Sequence, residues 1–250
     1  MNDYNLQCEL QKPEQAILDE LKNKLPFMKM LDIGVGAART TTYFACLVGE
    51  YVGVDYSQNM INASRRKFPQ YTFKVADARN LSDFEEDYFD FVLFSFNGID
   101  SVDHRERLRI LHEIRRVIKK GGYFCFSAHN LNSYSGRIRS IKFPKNPALL
   151  VLRSYSLLQT RLLNMKTWRD LRNPSSELQH MMIFHASERA NRRLHRIYWL
   201  TPTEQLKQLL DNGFGNIRVY GLDGREIANP ESCTLQHEKD DWLYYLCQPN

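Results

Sequence analysis

Several features that mark particular classes of protein are missing from this sequence of 250 residues. No apolar run reaches the ~18 residues that a membrane-spanning helix needs, and the first residues lack the basic and apolar regions of a signal peptide. The five cysteines are odd in number, widely spaced and without any Cys-x-x-Cys pair, which argues against a disulfide framework or a zinc knuckle. These absences predict a cytoplasmic protein whose cysteines are reduced packing residues.

The composition is that of an ordinary globular protein, with 43% hydrophobic and 25% charged residues. Its net charge of +5 is unevenly distributed, because Ser133 to Leu200 contains thirteen Lys and Arg against three acids. The rest of the chain carries 21 bases and 26 acids. A basic segment in an acidic body favours an anionic partner.

The first 130 residues alternate β-rich runs with amphipathic helical stretches, a pattern typical of a parallel sheet covered by helices on both faces. Five strands are predicted, beginning at Phe27, Tyr51, Tyr71, Asp90 and Gly122. The helices predicted between them are Ala37 to Val48, a helix capped by Ser57 that ends at Lys67, and Asp103 to Lys120.

After the fifth strand this alternation stops. Residues 132–199 are predicted to form an inserted basic helical cap, with helices at Pro147 to Leu171 and Ser176 to Arg189. The pattern then resumes with a helix capped by Thr201 or Thr203 and two strands, NIRVYGL and DWLYYLC. The predicted organisation is a core over residues 1–131, the cap over 132–199 and completion of the core sheet over 200–250.

The loop after the first strand, LDIGVGAART, is the first feature that indicates chemistry. Gly34 and Gly36 allow backbone to approach a ligand where a Cβ would collide, although a bare Gly-x-Gly also suits an ordinary strand-to-helix turn. Asp55 ends the second strand and can accept both hydroxyl hydrogen bonds of a ribose. Asp77 ends the third strand, where it can accept from an adenine amine while the Ala78 amide donates to a ring nitrogen. Together these residues predict a site for an adenosine-bearing ligand.

Two classes of α/β protein bind such a ligand at the carboxyl ends of the parallel strands. A dinucleotide-binding fold needs a third small residue in its glycine motif, and Arg39 stands at that position. The sequence therefore disfavours a nicotinamide-dependent dehydrogenase, which remains the enzyme alternative.

The same residues resemble the class I S-adenosylmethionine-dependent methyltransferase family. Asp32, Gly34 and Gly36 match its first motif, with Ala38 where a third glycine is usual. The segment KKGG before the fifth strand and the final helix-strand-strand order are also similar. The resemblance covers about Phe27 to Asn130 and Leu200 to Cys247. It implies an α/β fold with a Rossmann-like, seven-stranded, mostly parallel sheet, an antiparallel last strand, helices on both faces and the cap inserted after strand five.

The resemblance also implies S-adenosylmethionine as methyl donor and S-adenosylhomocysteine as product. In that family pattern the backbone of Gly34 and Gly36 holds the methionine part, with Asp32 beneath the loop. Ser95 and the three residues after it face the methyl group. The implied adenosine contacts are Asp55 on the ribose, Tyr56 and Met60 flanking the adenine, and Asp77 with Ala78 at the adenine edge.

A general base is useful if the acceptor is a hydroxyl, and imidazole has a suitable pKa for that task. His129, at the end of the fifth strand, is the best-placed candidate. A hydrogen-bonded structural role is the alternative for His129 and for the other histidines considered, His104, His180, His185 and His195. Asn97 and Asn130 either orient an acceptor or form turns.

The cap admits more than one interpretation. As a lid, its positive charge would select an anionic small-molecule or saccharide acceptor, since arginine pairs well with carboxylate and phosphate. Interleaved basic and aromatic residues also suit RNA, in a binding or RNA-methylating role, and Leu-rich basic helices suit an anionic membrane surface. No compact cluster of His and carboxylates indicates a metal site.

Overall fold

The computed structural model describes residues 9–134, 154, 158–159, 162–165, 180–186, 194–228, 235 and 238–250. The described strands are β1 Lys29–Ile33, β2 Glu50–Asp55, β3 Thr72–Val75, β4 Phe89–Phe94, β5 Ile118–His129, β6 His180–Ala186, β7 Leu194–Leu200, β8 Phe214–Tyr220, β9 Glu226–Ala228 and β10 Trp242–Pro249. The helices are α1 Lys12–Leu21, α2 Thr41–Phe44, α3 Gln58–Lys67, α4 His104–Val117 and α5 Pro202–Asp211. None of these described helices is long and apolar enough to cross a bilayer.

The central sheet has the strand order β3-β2-β1-β4-β5-β10-β8-β9. Neighbouring strands from β3 to β5 run parallel, whereas β10 is antiparallel to both β5 and β8. The predicted mostly parallel sheet with a reversed last strand is therefore confirmed. The predicted number of strands is corrected from seven to eight, because β9 adds a three-residue edge strand too short to produce a periodic pattern.

The core lies on both faces of this sheet. Leu31, Val92 and Phe124 pack on one face in a cluster that includes α4, while their chain neighbours Met30, Phe91 and Cys125 pack on the other with α1. Successive side chains of a strand point to opposite faces, so strands covered by helices on both sides must be apolar at nearly every position. This double coverage holds the carboxyl ends of the parallel strands in fixed positions.

Two predicted helices are shorter than expected. The residue Ala38 has a positive φ of 62°, which belongs to left-handed backbone and delays the start of α2 to Thr41. Helix α4 ends at Val117, and the predicted helical residues 118–120 begin β5 instead. The starts of two helices are better predicted. Helix α3 follows Ser57 directly, although the Ser57 side chain makes no capping hydrogen bond. Thr201 caps α5, with its Oγ1 accepting from the Glu204 amide at 3.2 Å.

The helix predicted at Ser176 to Arg189 is wrong. Strand β6 occupies residues 180–186 of that segment and pairs antiparallel with β7, with His180 opposite Leu200. Met181 and Ile183 point to the same side and are buried with Trp199, so the segment follows a period of two instead of the helical period. The other predicted cap helix, Pro147 to Leu171, lies largely outside the described residues.

Candidate functional site

The predicted glycine turn leaves β1 in left-handed backbone, with φ of 67° at Gly34 and 54° at Gly36. A Cβ on Gly34 would lie 3.1 Å from Phe94 Cε2, so this position needs glycine for space as well as for conformation. A Cβ on Gly36 would meet nothing nearer than the Gly34 carbonyl at 3.9 Å. The backbone of Gly36 therefore borders open space that a ligand can enter.

Asp55 joins the end of β2 to this turn. Its carboxylate is 7% exposed and accepts the Gly36 amide at 3.0 Å and the Ser57 amide at 2.8 Å. The Ser64 hydroxyl donates to the Gly36 carbonyl at 2.8 Å and holds the turn from α3. The structure thus brings Gly36 and Asp55 together, and the two carboxylate oxygens have lone pairs left for further donors.

Asp32 lies buried beneath the turn. The hydroxyls of Thr40 and Tyr51 donate to its Oδ2 at 2.5 and 2.7 Å. Burial raises the pKa of Asp32 to about 6, and these two hydrogen bonds oppose the rise. Its contacts connect β1, β2 and the start of α2, so Asp32 stabilises the turn from below.

The raised pKa of Asp32 predicts a pH-dependent stability. Because the folded-state pKa of about 6 exceeds the ordinary 3.8, the contribution of Asp32 is fully present below pH 3.8 and is lost as the pH rises through 6. Relative to Asp32→Asn, the wild type should lose about 3 kcal/mol of unfolding free energy between about pH 4 and pH 7. Urea unfolding across this range measures the difference. Asp83→Asn, on an exposed carboxylate, is the control, and equal pH slopes for wild type and Asp32→Asn would contradict the prediction.

The predicted adenine contacts differ in their surroundings. Tyr56 is 80% exposed, while Met60 and Ala78 are half-buried. The Asp77 carboxylate is already engaged, since it accepts the Arg79 guanidinium at 2.5 Å and the Arg79 amide at 2.9 Å. The hydrogen bonds from Arg79 lower the pKa of Asp77. An adenine amine at this position would share the carboxylate with Arg79.

A buried polar network lies beside the glycine turn. Arg39 donates through both terminal nitrogens to Glu14 of α1, each at 2.6 Å, and through one of them to Ser95 Oγ at 3.2 Å. The hydroxyls of Ser95 and Tyr244 also donate to Glu14 Oε1. Arg39, which breaks the dinucleotide motif, is therefore the counter-ion of a fully buried carboxylate. The members of this network cannot be predicted from sequence, because Arg39 and Glu14 are 25 positions apart and Tyr244, which donates to Glu14, lies in the last strand.

The turn after β4 is strained. Phe96 and Asn97 both have φ of 59°, in left-handed backbone that non-glycine residues rarely adopt. The Asn97 amide donates to Ser127 Oγ at 2.7 Å, while Asn97 Oδ1 is buried without a hydrogen-bond partner in the described part of the chain. Consecutive residues in this conformation cost about 1–3 kcal/mol each and are concentrated at functional sites. Here the strain lies in the segment predicted to face a transferring methyl group.

His129 lies at the end of β5, where Asp100 holds it. Asp100 Oδ2 is 2.7 Å from His129 Nδ1 and accepts the His129 amide at 2.7 Å. Asp100 is fully buried and forms an ion pair with Arg107, which is also fully buried. The His129 side chain is 16% exposed, with the rings of Trp199 and Trp242 at centroid distances of 4.6 and 6.4 Å.

The other polar candidates lie elsewhere or have structural partners. His104 Nδ1 is 2.6 Å from the Tyr198 hydroxyl, and its ring stacks on His180 at 4.6 Å. Burial and the neighbouring His180 lower the pKa of His104. Asn130 Oδ1 accepts the Asn132 amide at 2.9 Å, which is the local contact of a turn, and its side-chain amide donates to the carbonyls of Glu238 and Asp240. The side chains of His185 and His195 lie outside the described residues. Among the described residues, no group of three or more His, Cys, Asp or Glu could hold a metal ion.

Comparison with known proteins defines the class of this fold. Residues 31–126 match the family model described as a methyltransferase domain. An S-adenosylmethionine-dependent methyltransferase from Clostridium acetobutylicum superposes with a TM-score of 0.67 at 15% identity, covering 99% of this chain and 96% of that one. The glycopeptide N-methyltransferase MtfA in complex with S-adenosylhomocysteine gives a TM-score of 0.58 at 15% identity, covering 96% of this chain and 91% of that chain.

Curated relatives match over a shorter region. A demethylmenaquinone methyltransferase from Lysinibacillus sphaericus is 37% identical over 103 residues, which is 39% of this chain and 42% of the relative. One from Bacillus cereus (strain AH187) is 34% identical over 105 residues, 39% of this chain and 43% of the relative. The match thus spans about two fifths of the length of these relatives. Residues 31–126 thus match a methyltransferase domain, and the described fold is the Rossmann-like fold of S-adenosylmethionine-dependent methyltransferases, which agrees with the resemblance carried by Asp32 to Ala78.

Proposed function

We propose that this protein transfers a methyl group from S-adenosylmethionine to a small-molecule or saccharide acceptor and releases S-adenosylhomocysteine. The observation that carries the proposal is the convergence at one sheet edge of the Gly34–Gly36 turn, the Asp55 carboxylate and His129. Ligands of open α/β sheets bind at this edge, outside the carboxyl ends of the strands. The methyltransferase domain at residues 31–126 supports the same reaction class.

The residues at the edge fit the donor. Asp55 would accept from the ribose hydroxyls, and the backbone at Gly36 has the open space that the methionine part needs. Asp32 holds the turn from beneath, Ser95 lies at the end of β4, and Tyr56, Met60, Asp77 and Ala78 would surround the adenine. The bound donor supplies an electrophilic methyl on a sulfonium, so the protein mainly has to place the acceptor in line with it.

The acceptor would lie under residues 132–199, which we propose as a lid inserted between the core at 1–131 and its completion at 200–250. The basic residues of this segment favour an anionic acceptor. The relatives are named for a quinone and a glycopeptide, both of which are compact compared with RNA. A pocket closed by an inserted segment suits such compounds better than a long polymer.

Calorimetric titration with S-adenosylmethionine, S-adenosylhomocysteine and NADH tests the proposal. We expect micromolar binding of the first two and no heat from NADH, because the position that a dinucleotide motif requires to be small is occupied by Arg39 paired with Glu14. Binding of NADH alone would favour a dehydrogenase. If none of the three ligands gives binding heat, and the protein is retained on RNA in a steeply salt-dependent way, a binding protein that uses the basic segment would be favoured.

A further inference from the structure

We infer that Asp100 and Arg107 position His129 as a general base, and that the acceptor is therefore a hydroxyl compound of the aryl or enol type. This inference rests on the proposed function, narrows its small-molecule or saccharide acceptor to a small aryl or enol compound, and adds the acceptor atom and two positioning residues. Its physical basis is one chain of buried contacts that ends at the sheet edge.

The contacts of Asp100 determine which ring nitrogen of His129 is free. One carboxylate oxygen receives both the His129 amide and Nδ1 at 2.7 Å, so the backbone and the ring are fixed by the same atom. A carboxylate only accepts hydrogen bonds, so Nδ1 must carry a proton. In the neutral imidazole this leaves the lone pair on Nε2, which is the arrangement that a base needs.

Arg107 holds Asp100 from the other side. Its guanidinium pairs with Asp100 Oδ1 and balances the buried negative charge. Two glutamines of α5 hold Arg107 in turn, with Gln208 Oε1 accepting from Nε at 3.1 Å and Gln205 Oε1 accepting from a terminal nitrogen. Burying an ion pair at 0% exposure is costly, and the charges of Asp100 and Arg107 would balance each other without a histidine nearby. The buried contacts nevertheless continue from α5 through Arg107 and Asp100 to His129, which indicates that they position this side chain.

The need for a base points to a hydroxyl. A neutral amine attacks through its own lone pair and loses its proton afterwards, whereas a hydroxyl oxygen becomes a strong nucleophile only as its proton leaves. Imidazole, with an ordinary pKa of about 6.5, is much closer to a phenol at about 10 than to an alkyl alcohol. The half-buried ring of Trp242 beside His129, with the exposed ring of Phe96 6.5 Å from it, would pack against a flat aromatic acceptor.

The proposed step balances in atoms and charge. His129 Nε2 takes the hydroxyl proton while the acceptor oxygen bonds to the methyl carbon and the carbon–sulfur bond breaks. The electron pair of that bond stays on sulfur, so the sulfonium becomes a neutral thioether and the positive charge ends on the His129 imidazolium. Loss of that proton to water returns His129 to its starting form.

The first arm of the test needs no acceptor. In ¹⁵N NMR of histidine-labelled protein, the His129 signals are assigned by comparison with His129→Gln. When the wild-type His129 ring is neutral, Nδ1 should be protonated and Nε2 unprotonated. Asp100→Asn should reduce the preference for this tautomer by at least about tenfold, because an amide holds Nδ1 less strongly than a carboxylate. A wild-type ring protonated on Nε2, or an unchanged tautomer in folded Asp100→Asn, would overturn the positioning role. His104→Gln should leave the His129 signals unchanged.

The second arm compares two probes with the same ring, 2-naphthol and 2-naphthylamine, as methyl acceptors. We expect transfer to the hydroxyl only, with kcat reduced roughly 100-fold in His129→Gln and about tenfold in Asp100→Asn, and with KM little changed. Three results would overturn the aryl-hydroxyl assignment: transfer to the amine alone, equal transfer to both probes, or transfer to neither. The third result counts only if the protein binds S-adenosylmethionine. Absence of donor binding in the wild type would instead refute the proposed function.

Discussion

Replacing Asp55 with alanine is expected to weaken binding of S-adenosylmethionine and S-adenosylhomocysteine by more than tenfold. The substitution removes the proposed acceptor of the ribose hydroxyls. It also releases the Gly36 and Ser57 amides, which donate to Asp55 at 3.0 and 2.8 Å, so the glycine turn loses its anchor to β2. Loss of one charged hydrogen bond is worth about 1.5–3 kcal/mol, which alone accounts for tenfold or more. Calorimetric titration of the variant measures the effect.

Asp90→Ala is the matched control for this experiment. Asp90 is in β4 and pairs with Lys119 at 2.8 Å, near the amino ends of the strands and away from the glycine turn. The affinity of Asp90→Ala for S-adenosylmethionine should stay within about twofold of the wild-type affinity, a smaller change than the loss of one hydrogen bond would cause. Thermal unfolding of both variants checks that each is folded at the titration temperature. Equal affinity of folded Asp55→Ala and wild type would remove Asp55 from the site.

Arg39→Leu is expected to lower the free energy of unfolding by about 3–5 kcal/mol, because it leaves the buried Glu14 carboxylate without its counter-ion. Ser95 and Tyr244 would still donate to Glu14, but neither carries a charge. Glu14→Gln in the Arg39→Leu background should recover part of the loss, since a neutral amide tolerates burial better. Denaturant unfolding of the single and double variants gives the coupling between the two positions.

Arg79→Leu serves as the comparison for Arg39→Leu. Arg79 also pairs with carboxylates, but its side chain and that of Asp77 are each 40% exposed. Exposed ion pairs contribute about 0–1 kcal/mol because solvent screens them. A loss in Arg39→Leu no larger than in Arg79→Leu would show that the buried pair does not stabilise α1 against the sheet.

The sheet edge could be predicted from sequence because its signals are local. Gly34 and Gly36 follow an apolar strand directly, and Asp55 ends the next one, so strand periodicity and parallel pairing suffice to bring them together. The reversal of β10 is instead implied by the resemblance to the methyltransferase family, since its apolar run follows a helix and a strand in that family's order.

Other parts could not be predicted, for physical reasons. The segment around Met181 to Phe184 is a short apolar run that suits a helix or a strand, and only pairing with β7 decides between them. Arg107 lies in a helix rich in charged residues and looks like a solvent-exposed position in sequence. Its burial becomes apparent only when Asp100, Gln205 and Gln208 close around it. Long-range polar contacts of this kind produce no periodic pattern in the amino-acid sequence.

A crystal structure of the complex with S-adenosylhomocysteine would show directly whether the sheet edge binds the donor. We expect the ribose hydroxyls on Asp55, the methionine part along the Gly34–Gly36 backbone and the sulfur facing the space between the Phe96–Asn97 turn and His129. Density for the ligand at another place, or with its sulfur directed away from His129, would contradict this expectation.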